Sequence, residues 1–269
     1  MATIGADMSL EAGPGAASEL PVVRRFEAAG FRAWPAASTH YDGTWAIRLT
    51  AGLASRRLNS INPLDPGDDG NLMERMARAK RRFEAYGRPQ TFRLSPLAGP
   101  MLQSLLDEAG WSRLSESLVM RLDLGEDALA EALPQIPLKD MGRFITAAIG
   151  IGSLAPASRP GLSELISSIQ PEAGLFVVEH RGQPVSTAVC VHDGSLAGLF
   201  EIATAGTMRG QGFGRRAILS ALKWAHSRGA RQGWLQVEAD NEPAIGLYRA
   251  LGFKELYRYH YRQPSGGGA

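Results

Sequence analysis

The chain has 269 residues, 44% of them apolar, enough for one large domain or two small ones with separate cores. Its 29 Lys and Arg against 27 Asp and Glu leave a net charge of +2, which excludes the strong electrostatic pull of a nucleic-acid or acidic-membrane binder. With one cysteine, Cys190, and no apolar run near the roughly 20 residues of a membrane span, the composition points to a reducing, cytoplasmic setting without internal disulfides.

Residues 1–19 are rich in Gly, Ala, Ser and acid, with neither a basic start nor an apolar stretch, and read as a disordered leader. Val22–Ala29 follows as a short helix closed by Gly30. Thr44–Thr50 and Leu58–Asn62 read as strands, with a Pro, Gly and Asp-rich loop over 63–70. Leu72–Tyr86 places Leu72, Met76, Ala79 and Phe83 on one helical stripe, and Arg75, Arg78, Lys80, Arg81 and Arg82 form a solvated basic face. A strand at Thr91–Leu94, a helix at Leu97–Ala109 and a strand at Ser117–Asp123 complete a first unit, 20–124. Trp34, Trp45 and Trp111 are assigned to packing. Residues 125–138, with Pro134 and Pro137 around a short acidic helix, read as a linker.

The second unit, 139–263, opens with helices at Lys139–Ile149 and Gly161–Ile169. Strands Leu175–His180, Val185–Val191 and Leu196–Ala203 are joined by hairpin turns at Arg181-Gly182-Gln183 and Asp193-Gly194. A helix at Gly212–Arg228, a strand at Gly233–Glu238, a helix at Glu242–Leu251 and a strand at Leu256–Tyr261 follow, before a loose tail, 264–269. The pattern predicts a mixed α/β (α+β) fold. The units repeat one layout, since Gly87 and Gly229, like Gly110 and Gly252, are 142 positions apart and each ends a helix.

Arg209-Gly210-Gln211-Gly212-Phe213-Gly214 lies between an apolar strand and a helix. Glycines allow close approach of an anion, the helix start offers unpaired amides, and Arg209, Arg215 and Arg216 add charge, so the segment reads as a pyrophosphate cradle. It lacks the Lys-Ser/Thr ending of a nucleoside-triphosphate loop and the spacing of a dinucleotide fingerprint. Asn241–Phe253 adds an N-capped helix in which Ala244, Leu247, Tyr248 and Leu251 share a face and Gly252 marks the end.

Together, Arg209–Gly214 and Asn241–Phe253 resemble the GNAT superfamily of N-acetyltransferases, the first its R/Q-x-x-G-x-G/A motif and the second its N-x-x-A-x-x-L-Y-x-x-x-G-F motif. Leu199–Thr204 is similar to the family strand that pairs with the pantetheine arm. The first unit, with Trp45–Arg48 and Arg57–Ser60, looks like the degenerate partner of a tandem GNAT protein. The resemblance implies two GNAT-like domains, each a mostly antiparallel mixed sheet flanked by helices, with acetyl-CoA as cofactor and a small-molecule amine as acceptor. A peptide acceptor and a non-catalytic acyl-CoA sensor are the alternatives. It also implies backbone contacts to the cofactor from Ile202, Ala203 and Thr204, and places Asn241 and Ala244 near the arm and Tyr248 near the sulfur as general acid.

For the base, Glu201 within an apolar strand is preferred to Glu238, and Gln236, where some relatives carry a glutamate, cannot ionise. Cys190 reads as an inert core residue, and the five histidines show no metal spacing. The first unit has Leu106 and Gly99 where the second has Tyr248 and Asn241, and an acidic loop at Asp65–Gly70, so one cofactor site per chain is expected. A monomer and a homodimer are equally compatible with the sequence.

Overall fold

The computed structural model describes residues 16–266. The expected leader therefore lies outside the described residues except at 16–19, which belong to helix α1 (Ala16–Ala33). Helix α1 does not stop at Gly30. That glycine stays helical, and a Cβ there would rest 3.5 Å from both Gln236 and Trp234, so it marks close packing on a strand. The expected tail is described as far as Gly266.

The first half continues with β1 (Ser38–Asp42), β2 (Trp45–Leu49), β3 (Ser60–Pro63), α2 (Leu72–Ala85), β4 (Phe92–Leu94), α3 (Pro100–Glu108) and β5 (Ser112–Asp123). The second half holds α4 (Met141–Gly150), α5 (Arg159–Ser168), β6 (Glu172–His180), β7 (Gln183–Asp193), β8 (Leu196–Thr204), α6 (Phe213–His226), β9 (Gln232–Glu238), α7 (Glu242–Ala250) and β10 (Lys254–Gln263). The mixed α/β class is as the sequence predicted. Strand β1 was not, because only every second residue of its Ser-Thr-His-Tyr-Asp run is even half-buried.

Among the described residues ten strands form one sheet, in the order β1-β2-β3-β4-β10-β5-β9-β8-β7-β6. Only the β3/β4 and β8/β9 pairs are parallel. Each half thus runs three antiparallel strands into a parallel fourth, the repeat expected from the glycine spacing. The fifth strands are exchanged: β10 pairs with β4, and β5 pairs with β9. The two halves share one hydrogen-bonded ladder through β5 and β10.

Three apolar clusters hold this sheet. Helices α6 and α7 cover one face of the second-half strands, with Leu118, Leu235, Val237 and the buried Cys190 between them. Helices α1, α4 and α5 cover the other face, where Trp34 stacks flat on Phe200 at 4.8 Å and Phe26 meets Trp234 edge-on. Helices α2 and α3 pack on β2–β4 around Trp45 and Phe92. The basic face of α2 is not wholly solvated: Arg75 is buried over Trp45 at 4.1 Å and bound to Asp68 at 2.9 Å. Among the described residues no helix is long and apolar enough to cross a membrane.

Candidate active site

Strands β8 and β9 pair from Leu196↔Gln232 to Leu199↔Leu235 and then part. Beyond that point β8 follows β7, ending at Thr204↔Ser186, while β9 follows β5 to Glu238↔Ser117. The edge of β8 from Phe200 to Thr204 therefore has no strand beside it, and half of its amide and carbonyl groups face a gap. A bulge sharpens the divergence. Glu201 and Ile202 together oppose Ala188, between the Val189↔Phe200 and Thr187↔Ala203 pairs. Glu201 takes φ 46°, a left-handed conformation that costs a non-glycine residue about 1–2 kcal/mol. Hydroxyls hold the bulge in place: Thr187 donates to the Glu201 carbonyl at 3.2 Å and Ser186 to that of Ala203 at 2.7 Å.

At the far end of this edge the chain turns through Gly206–Met208 and reaches the glycine loop. Gly210 and Gly212 have φ 74° and 82°, which the loop needs to fold back before α6. Gly212 caps α6 without any side-chain acceptor, so the amides of the first turn remain available. A Cβ on Gly214 would come 3.0 Å from the Thr204 hydroxyl, so glycine lets α6 start directly against β8. Arg209, Gly210 and Gln211 are exposed, and Phe213 lies 5.3 Å from the His180 ring. Arg215 is bound to Glu131 at 2.9 Å, so part of its charge is already countered.

Helix α7 starts where Asn241 accepts the Ala244 amide at 3.2 Å. Tyr248 is buried edge-on to Phe253 on the α6/α7 face of the sheet. Its hydroxyl has no hydrogen bond to a described residue, and burial pushes its pKa up to about 12. Burial likewise raises the Cys190 thiol, in keeping with an inert core role.

Glu201, Glu238 and Gln236 belong with a different set of groups. Glu238, Ser117 and Tyr259 form one rung across β9, β5 and β10. Tyr259 donates to Gln236 Oε1 at 2.8 Å. Above them residues 54–57 line one side of a half-open pocket of about 260 Å³, with Ser117, Glu238, Tyr259 and Tyr261 also in its lining. Burial raises the Glu201 carboxyl, and the Arg57 guanidinium partly opposes it. Burial would also raise Tyr259, but Arg57, Arg93 and a hydrogen bond with Ser117 outweigh it and hold the phenol below its ordinary value.

Beneath the pocket lies a buried ionic cluster. Glu27 accepts from the Tyr257 hydroxyl at 2.6 Å and pairs with Arg93, whose guanidinium stacks 3.6 Å over the Tyr259 ring. Arg48 is driven down to about 9 by burial, with Arg93 adding repulsion. The sequence reading missed Tyr259 and this cluster. The alternation of Tyr257, Tyr259 and Tyr261 was the available signal, since a period of two puts all three on one face. Two further hollows, of about 680 and 400 Å³, lie against α2 and contain none of these residues.

The family model described as "Acetyltransferase (GNAT) family" matches residues 153–253, a span that includes the bulged strand, the glycine loop and α7. Over 253 residues the chain is 24% identical to the uncharacterized N-acetyltransferase YobR of Bacillus subtilis, covering 89% of this chain and 98% of YobR. It is 38% identical over 110 residues to the ribosomal protein bS18-alanine N-acetyltransferase of Escherichia coli, covering 40% of this chain and 74% of that protein. A solved tandem GNAT protein from the clavulanic acid biosynthesis pathway superposes with a TM-score of 0.64, covering 90% of this chain and 88% of that one; at 17% identity the likeness is one of fold.

Proposed function

Because the chain belongs to the GNAT family of acetyltransferases, we propose that it transfers the acetyl group of acetyl-CoA to a primary amine of a small molecule by direct attack in a ternary complex. The observation that carries this reading is the gap between β8 and β9, which has a free strand edge along one side and a glycine loop at its end. The residues present fit the cofactor. Ile202, Ala203 and Thr204 offer backbone groups to the amides of the pantetheine arm, and Arg209 to Gly214, with Arg215, offer amides and charge to the pyrophosphate. Asn241 spends its oxygen on the α7 cap and keeps its amide N–H groups for the arm, beside Ala244 and Tyr248. Residues 139–263 would be the acetyltransferase unit, with 20–124 as its partner and 125–138 the connection.

When bound, acetyl-CoA supplies an acetyl thioester. The acceptor must present a neutral amine, and with an ordinary pKa of about 10.4 that costs roughly 4–5 kcal/mol at pH 7. Glu201 is the favoured proton acceptor, because burial brings its carboxyl closer to neutral pH, and Glu238 is the second. Tyr248 keeps its proton throughout. With its pKa at about 12, full transfer to a thiolate of pKa about 8.5 is uphill by about 5 kcal/mol. Its hydroxyl therefore acts as a hydrogen-bond donor to the charge growing on sulfur and does not release the proton early.

Calorimetry with coenzyme A, followed by thiol release from acetyl-CoA over a panel of amines, tests the reading. No uptake of coenzyme A by folded protein refutes it. A protein N-terminus is the second reading, favoured by the name of the Escherichia coli relative. The small volume of the pocket lined by residues 54–57 argues for the small amine.

A further inference from the structure

Four half-buried or buried arginines of this chain are matched to a carboxylate, Arg75 to Asp68, Arg93 to Glu27, Arg215 to Glu131 and Arg262 to Asp107, while Arg48, Arg88 and Arg121 have no ion pair with a described residue. Arg56 and Arg57 are also unmatched. Both are half-buried, they are adjacent in sequence, and no carboxylate of a described residue comes within 4.0 Å of either guanidinium. Both line one recess, where Glu201 feels the charge of Arg57 and Glu238 shares the lining, yet neither guanidinium is ion-paired with a described residue, so their forked donors remain open to an incoming anion.

The pair is held in place. Asn59 donates to the carbonyls of Leu53 and Ser55 at 2.8 and 2.9 Å, and its oxygen accepts the Thr50 amide at 2.8 Å. Arg48 donates to the Arg57 carbonyl at 2.9 Å. The Arg56 guanidinium lies 5.5 Å from the Tyr261 ring centre, and that of Arg57 lies 6.0 Å from the Phe200 ring centre. On the opposite wall Glu238 has no ion pair with a described residue and occupies the end of β9, after that strand has left β8. The pocket thus has fixed positive charge on the first-half loop and negative charge beside the gap.

We infer that this pocket is the acceptor site, and that it takes small amines bearing a carboxylate, as free amino acids do. The carboxylate lies against Arg56 and Arg57, whose forked donors match its two oxygens, and the amino group lies toward Glu238 and the gap. The volume, about 260 Å³, is below the usual range for drug-sized ligands and limits the acceptor to a compact molecule. This inference rests on the acetyltransferase reading, and it gives the first half of the chain a task, the recognition of the acceptor.

The test is a comparison of kcat/KM for the common amino acids against their carboxamides, which keep the amine and lose the negative charge. The wild-type chain should favour carboxylates at least tenfold. Arg56→Ala and Arg57→Gln should each erase most of that preference, while the melting temperature and coenzyme A affinity stay within twofold or a few degrees of wild type. Equal use of carboxamides, an unchanged preference in both variants, or turnover of neither series while coenzyme A still binds would each overturn the inference. Failure to bind coenzyme A would instead remove the reading on which it rests.

Discussion

Tyr259 on the last strand and Gln236 on β9 are joined by a 2.8 Å hydrogen bond across the intervening β5. The bond fixes which way the glutamine amide faces: its oxygen is spent on the tyrosine, and its nitrogen lies near Gly30 of α1. A neutral side chain thus stands two residues before Glu238 on the same face of β9, and no hydrogen bond joins it to Glu201 or Glu238. Gln236→Ala would leave the buried phenol without this acceptor, and we expect a loss of about 1–3 kcal/mol in stability, read by urea unfolding.

Tyr248→Phe removes the hydroxyl and keeps the ring against Phe253. Turnover should fall tenfold or more in single-turnover experiments, while the dissociation constant of coenzyme A by calorimetry stays within twofold. A difference ultraviolet titration of wild type against the variant should show this tyrosine ionising near 12 and not near 10.

Glu201 must lose its proton to act as base, so activity should rise with pH through its pKa, and burial places that rise above the ordinary carboxylate range. Arg57 favours the charged form, so Arg57→Gln should move the acid limb to higher pH. Glu201→Gln should lower turnover and abolish the limb. A limb unmoved by either change would pass the role to Glu238.

Glu27 is the only carboxylate paired with Arg93 among the described residues, and both are buried. Glu27→Ala strands Arg93 near Arg48. A loss of about 3–5 kcal/mol is expected, with the melting temperature falling on the order of 10 °C.

Gly212→Ala forces a Cβ onto a residue at φ 82° and should cost coenzyme A about tenfold in affinity. Gly206→Ala, where φ is not positive and a Cβ meets nothing within 4 Å, is the matched control and should bind normally. Titration of both variants separates loop geometry from general disturbance.

Much of the local geometry of the candidate site was legible because its signals are local. The left-handed glycines of the loop, the cap at Asn241 and the apolar face of α7 are all readable within a few residues. The paired offsets of 142 recovered the repeated layout, since the helix-ending glycines Gly87, Gly110, Gly229 and Gly252 all take positive φ. What was missed depends on distant partners. The bulge at Glu201 carries no glycine to announce it and is held by hydroxyls from β7. Gly30 looked like a stop and proved to be a packing point against β9. Arg56 and Arg57 gained meaning only when the fold placed Tyr259, Tyr261 and Glu238 opposite them.

The position of β10 between β4 and β5 has a consequence for biosynthesis. Of the ten strands described, this central one is made last, so β4 and β5 must each wait for it with one edge open. A nascent chain cut short before Lys254 would leave both halves unfinished at once, and neither could be rescued by supplying the other.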